Sequence, residues 1–184
     1  MNYTRLLPFF LFLPALALFF SCSDNTVVNP VFDAAKQAPI DDSLIVDYLS
    51  RRGVTDSFSK KASGLYVRIS KKYPDSLRVS SDSMALNADT ALIIKGVKVF
   101  FRYEGKLLND TLFDENLTKS KALDFIPGSN NLIQGFEQGI LYFRNREEGE
   151  LLIPSALGYG NTVQGKIPRN SCLRFFVRIT NVER

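Results

Sequence analysis

No histidine occurs among the 184 residues, and there are only two cysteines, Cys22 and Cys172. The first absence removes histidine-based metal sites, nucleophilic triads built on histidine, and side-chain switches near neutral pH. The second leaves no disulfide framework. A basic run interleaved with aromatic residues is also missing, so the net charge of +4 does not point to nucleic acid. It suits solubility, or nearness to anionic lipid or peptide substrates. No internal repeat is visible. The one long apolar run, Leu6–Phe20, is broken by Pro8 and Pro14 and is short for a membrane span. What remains is a chain of 45% hydrophobic composition, enough for one domain with a real core and additional segments.

Arg5, the apolar run after it and the small residue Ser21 make the pattern of an export signal over residues 1–21. Cys22 directly after that small residue resembles the lipobox of bacterial lipoproteins. The resemblance implies a diacylated Cys22 as the mature N-terminus, and hence an exported protein anchored to membrane by lipid. The implied location is the outer membrane, facing the periplasm or the cell surface. A plain signal peptide with an incidental cysteine, or a retained anchor, are the alternatives. Residues 22–40, small and polar with Pro30 and Pro39, read as a flexible tether.

An extension over residues 41–91 follows. Asp41–Gly53 carries helix signals: acidic residues at its start, Leu44, Ile45, Tyr48 and Leu49 on one face, Arg51 and Arg52 near its end, and Gly53 to stop it. Its single apolar stripe is expected to pack on its own domain, the alternative being a partner. Gly64–Ser70 alternates as a strand does. Lys71–Ala91, rich in serine and aspartate, reads as a loop or irregular hairpin.

Residues 92–184 hold the main domain. Val97, Val99, Phe101 and Tyr103 alternate with more polar neighbours, and so do Leu173, Phe175, Val177 and Ile179. Leu151 and Ile153 mark a third strand, and Cys172 is expected on the last strand as a small buried hydrophobe. Between them, Leu132/Ile133, Phe136, Ile140 and Phe143 recur at the spacing of one helix face. Gly135 and Gly139 interrupt that face, each costing about 1 kcal/mol relative to alanine. The helix is therefore short and held by packing, and its glycines let other backbone come close. The expected fold class is α+β: a curved antiparallel sheet wrapped around one short helix, with Phe136 pointing into what the sheet encloses. Tyr103, Phe113, Phe125, Phe136, Tyr159 and Phe175 could form only a core. Phe113 and Tyr159 lie beside turn-rich segments, which favours a pocket.

Several short motifs fall in one order: Tyr103-Glu-Gly-Lys-Leu107, Leu112-Phe-Asp114, Asp124-Phe-Ile-Pro-Gly128, Asn131–Phe143, Ile153-Pro-Ser-Ala-Leu-Gly-Tyr-Gly160 and Ile167–Phe175. Together they resemble the FKBP-type peptidyl-prolyl isomerases, over residues from about Val97 to Glu183. The resemblance implies isomerisation of X-Pro bonds in exported proteins by desolvation and hydrogen bonding, with no covalent step and no cofactor or metal. It assigns the catalytic pocket to Tyr103, Phe113, Asp114, Ile133, Phe136 and Tyr159, and substrate contacts to Leu132, Ile167, Phe175 and Leu123. Phe136 would be the floor, and the Ile133 N–H and Tyr159 hydroxyl would hold substrate carbonyls. Asp114 would either polarise the edge of the site or accept hydrogen bonds from a nearby turn. Proline-containing polypeptides and macrolides are the implied ligands.

The chain departs from the family pattern in three places. Leu123 stands where an aromatic residue is common, which opens one wall. Arg146 replaces a usual turn glycine, suggesting an altered turn with Gly149 as its displaced glycine. The loop Asn161–Lys166 is about one residue short. Two further readings stay open: a non-catalytic binding module for proline-containing partners, and a structural lipoprotein with a degenerate pocket.

Overall fold

Alternating apolar residues in long segments build one sheet, and the two faces of that sheet organise everything else. The computed structural model describes residues 32–71 and 92–183. Residues 1–21, read above as an export signal, Cys22, most of the expected tether and nearly all of the expected loop Lys71–Ala91 lie outside the described residues. The elements are α1 (Ala34–Arg51), β1 (Ser59–Lys60), β2 (Tyr66–Lys71), β3 (Lys98–Leu107), β4 (Leu112–Glu115), β5 (Leu123–Phe125), α2 (Gln134–Ile140), β6 (Glu148–Ile153) and β7 (Leu173–Glu183). The strands form an open antiparallel sheet in the order β1-β2-β6-β7-β3-β4, with β5 also pairing with β3.

On the inner face, Val99 and Phe101 of β3, Leu151 and Ile153 of β6, and Leu173, Phe175, Val177 and Ile179 of β7 are buried against Phe136, Ile140 and Phe143. A bulge keeps the end of β7 in this core. The pairing passes from Phe101↔Ile179 to Phe100↔Asn181, so Thr180 is the extra residue. Ile179 and Val182 then both turn inward while Thr180 and Asn181 stay exposed.

The outer face is covered by α1. Ile45, Tyr48 and Leu49 bury against Tyr66 of β2, Leu152 of β6, and Cys172. Residues of β6 from Gly149 onward are consequently buried on both faces. Cys172 is buried as expected but precedes β7 instead of lying on it.

Helix α1 departs from the sequence reading at two points. It begins at Ala34, within the expected tether, and runs through Pro39. Proline removes one intrahelical hydrogen bond, but the Asp33 carboxylate caps the helix by accepting from the Ala35 and Lys36 N–H groups, each at 3.1 Å. Burial of the later turns supplies the remaining stabilisation. The inward stripe is also rotated: Leu44 is exposed, and Asp41 is fully buried in its place.

A charged group crosses the strands on the same face as α1. Glu150 pairs with Arg68 of β2 and with Arg174 of β7, the latter at 2.8 Å. Burial pushes the Glu150 carboxyl up, but the Arg174 and Arg68 guanidiniums outweigh it, and the net result is a value below the usual one. A carboxylate lowered in this way stabilises the fold above its unfolded-state value and stops doing so as pH falls through its folded value. Glu150→Gln should therefore lower stability by about 3 kcal/mol near neutrality, since it removes the carboxylate charge between two guanidiniums and leaves Arg174 only the exposed Asp110 at 3.4 Å. The deficit should shrink as pH drops below the ordinary glutamate value of 4.5. Denaturant melts of both proteins across that range test this, and a deficit that does not change with pH would remove the electrostatic account.

Candidate active site

The site begins with the approach of α2 to β6. A Cβ on Gly135 would lie 2.3 Å from Cγ2 of Ile153, and one on Gly139 would lie 2.5 Å from Cδ1 of Leu151. Neither position has room for a side chain. The two glycines share one face of the helix, and the strand lies directly against it. This contact presses Phe136 into the concave side of the sheet, where its ring centroid lies 5.1 Å from Phe101, 5.3 Å from Phe175, 6.2 Å from Phe125 and 6.3 Å from Tyr103. The Phe175, Phe125 and Tyr103 rings meet it edge to face, a favourable geometry for aromatic pairs.

Above this floor is a cavity of about 570 Å³. Tyr103, Phe113, Asp114, Leu123, Leu132, Ile133, Phe136, Tyr159, Ile167 and Phe175 all line it. These are the ten pocket residues singled out from the sequence, and the fold brings every one of them to the same space. Phe113 stacks edge-on to Phe175 at 5.5 Å and lies over Gly105, where a Cβ would sit 2.6 Å from its ring. Leu123, on β5, is exposed at the mouth.

The polar groups at the cavity are few. Ile133 is the N-cap residue of α2, and its N–H finds no acceptor among the described residues. The Tyr103 hydroxyl donates to one oxygen of Asp114, and the other accepts from the Glu115 N–H at 2.9 Å. Asp114 thus holds Tyr103 in place across β3 and β4. Burial, and after it Asp114, raises the Tyr103 hydroxyl above its ordinary value. The same two causes raise Tyr159. Both phenols therefore remain protonated donors at physiological pH.

The loop before α2 is tied down by Glu137, which is buried on the helix itself. Its carboxylate accepts from the Gly128 N–H at 2.9 Å and the Leu132 N–H at 3.2 Å. Asn116 steadies the other wall: it accepts from the Tyr103 N–H through its side chain at 2.7 Å and donates its own N–H to the Tyr103 carbonyl at 2.9 Å.

Five residues at the cavity were not singled out from the sequence: Phe101, Asn131, Gln164, Gly165 and Lys166. Phe101 shares the inward parity of Tyr103, so the strand pattern contained its signal. Asn131 opens the motif Asn131–Phe143, whereas Gln164, Gly165 and Lys166 had no signal of their own beyond their place in Asn161–Lys166. That loop closes through a pair of hydrogen bonds between Gln164 and Ile167, at 3.0 and 2.9 Å. The turn after α2 differs from expectation. Arg146 itself adopts the left-handed conformation, at φ 63°. Gly149 is not a turn residue but lies in β6, where a Cβ would meet the Arg68 carbonyl oxygen at 2.1 Å.

A family model described as FKBP-type peptidyl-prolyl cis-trans isomerase matches residues 91–180. The peptidyl-prolyl cis-trans isomerase FKBP2 of Homo sapiens is 37% identical over 91 residues, covering 49% of this chain and 64% of that protein. FK506-binding protein 2 of Dictyostelium discoideum is 38% identical over 88 residues, covering 47% of this chain and 66% of that protein. The chain thus spans just under two-thirds of these curated relatives. Among solved structures, FkpA from Escherichia coli aligns with a TM-score of 0.60 at 22% identity, over 81% of this chain and 62% of that one. A peptidyl-prolyl cis-trans isomerase from Pseudomonas syringae pv. tomato aligns at 0.58 and 17% identity, over 83% of this chain and 97% of that one. At such identities these two likenesses concern the fold.

The close approach of α2 to β6 sets up a direct test. Gly135→Ala should gain about 1 kcal/mol of helix propensity but lose about 1–3 kcal/mol to overpacking against Ile153. The net outcome is destabilisation, with the Phe136 ring displaced. Thermal melts and aromatic NMR shifts check it; a stabilised variant would show that the contact relaxes freely.

Proposed function

Residues 91–180 of this chain belong to the FKBP-type peptidyl-prolyl cis-trans isomerase family, and on that premise we propose that the protein catalyses cis–trans isomerisation of X-Pro bonds in polypeptides. The observation that carries the proposal is the convergence of the ten residues assigned from the resemblance on one ring-lined cavity, where Asp114 is the one carboxylate among the lining residues and the Tyr103 and Tyr159 hydroxyls are donors. No nucleophile–base pair faces that space among the described residues, and the reaction needs none.

Rotation about an X-Pro amide meets a barrier of about 18–20 kcal/mol, because resonance is lost as the group twists. The planar amide is the more polar state, so a cavity walled by Phe136, Phe101, Phe113 and Phe175 disfavours it relative to the twisted one. The proline ring would rest on Phe136. The Ile133 N–H and the Tyr159 hydroxyl would hold substrate carbonyls, accelerating rotation to the extent that they fit the twisted state better than the planar one. Asp114 acts by holding the Tyr103 ring against the bound peptide. Macrolides able to fill the same cavity would compete with substrate.

The substrates we assign are exported polypeptides, with the protein itself exported and lipid-anchored at the outer membrane. The sequence from Arg5 through the apolar run to Ser21-Cys22 supports this location. Cys22→Ser should shift the protein from the membrane fraction to the soluble fraction, or leave the signal uncleaved. Unchanged fractionation of a processed variant would exclude the anchor.

NMR exchange spectroscopy on a short X-Pro peptide tests the activity. The wild-type protein should raise the exchange rate. Tyr159→Phe removes one hydrogen bond, typically worth about 0.5–1.5 kcal/mol, so a several-fold loss with the fold intact is expected. Phe136→Ala should abolish most activity and also destabilise the protein by about 3–5 kcal/mol, so its melt is measured before its rate is interpreted. If the wild-type protein leaves the exchange rate unchanged yet still binds the peptide, the pocket belongs to a binding module.

A further inference from the structure

Behind the wall that Tyr159 contributes to the cavity, the N-terminal helix reaches the same turn. Asp41 of α1 has no exposed surface. Its Oδ2 accepts from the Ser155 N–H at 2.8 Å and from the Ser155 hydroxyl at 2.7 Å, and its Oδ1 accepts from Nε2 of Gln37 at 2.8 Å. Ser155 is itself fully buried and opens the short helical turn Ser155–Leu157. The residue before it, Pro154, offers that turn no side-chain cap. Asp41 supplies the acceptor instead, from 114 positions away in the chain.

The other end of Ser155 completes the link. Its carbonyl accepts from the Gly158 N–H at 2.9 Å and from the Gly160 N–H at 2.8 Å. Those glycines are the immediate neighbours of Tyr159. A tyrosine between two glycines has little to fix its backbone unless both are tied, and here both are tied to one carbonyl. Phe32, just ahead of α1, adds a second contact: its ring would lie 3.5 Å from a Cβ built on Gly160. A carboxylate buried without a cation is costly to desolvate, whereas packing alone would be served by an apolar residue such as the neighbouring Ile45 and Leu49. Three donors to Asp41 offset that cost, and two of them belong to the residue that sets Tyr159.

We infer that Asp41 is a positioning residue for the Tyr159 hydroxyl, acting through Ser155, so that α1, which lies outside the family-matched residues, forms part of the support of the site. The inference rests on the isomerase reading, in which Tyr159 is a donor whose placement matters on the scale of tenths of an ångström.

A double-mutant cycle on the full chain separates positioning from general stability. Asp41→Ala should lower kcat/KM for an X-Pro peptide several-fold, about as much as Tyr159→Phe does. In the Tyr159→Phe background it should cost nothing further. Asp41→Asn keeps an acceptor for Ser155 and should retain most of the activity. The ring resonances of Tyr159 should shift in Asp41→Ala. Losses that multiply in the double variant, or an unmoved Tyr159 ring, would overturn the inference, because independent effects add in free energy. If Asp41→Ala does not fold, Ser155→Ala removes only the hydroxyl donor. Its smaller loss should likewise vanish when Tyr159 is phenylalanine, and persistence there overturns the inference. If the wild-type protein has no isomerase activity, the functional reading fails separately. The same cycle is then read as affinity for the proline peptide, where a non-additive result supports the positioning role and an additive one removes it.

Discussion

The absence of side chains at Gly135 and Gly139 is the constraint on which the site depends. Seven residues cannot hold a helix in water, and two glycines among them make isolation worse. What stabilises α2 is the contact those glycines permit, with Ile153 and Leu151 lying where side chains would otherwise stand. The depth of that contact sets the height of Phe136 in the concave face. It also sets where the N-terminal end of the helix, with the Ile133 N–H, opens onto the cavity. Glu137 uses the same helix to hold the preceding loop, so the floor and one wall move as a unit.

The sheet transmits this arrangement because β6 is buried on both of its faces. Its inner residues, Leu151 and Ile153, meet α2, while Leu152 meets the layer under α1. The outer layer is not purely apolar. Glu150 sits between two arginines, and Asp41 sits among donors from Ser155 and Gln37. Buried charge of this kind contributes little net stability unless every partner is present, but it tolerates few alternative arrangements. It ties α1 and β2, both outside the family-matched stretch, to the strands that carry the cavity.

Two positions show how tertiary context overrides local preference. Arg146 takes a left-handed conformation that costs roughly 1–2 kcal/mol for a non-glycine residue, since the chain must turn there between α2 and β6. Pro39 stands inside a helix because Asp33 caps the start and the later turns are buried. Local rules read each of these as a break.

Much of the site was legible in the sequence because its causes are local. Period-two alternation marked β3 and β7, spacing of three and four marked α2, and the collinear motifs, with the departure from them at Leu123, identified ten of the fifteen residues that line the cavity. Leu44 and Asp41 mark the limit of that reading. Periodicity shows that a helix has an apolar stripe, but the surface it meets decides how far the stripe is rotated, and here that surface carries the Ser155 donors. The start of α1, the left-handed Arg146 and the link from Asp41 to Tyr159 were decided only in three dimensions. A buried carboxylate, a helical proline or a strained residue is tolerated when distant groups compensate for it, and sequence spacing contains no measure of which distant groups will arrive.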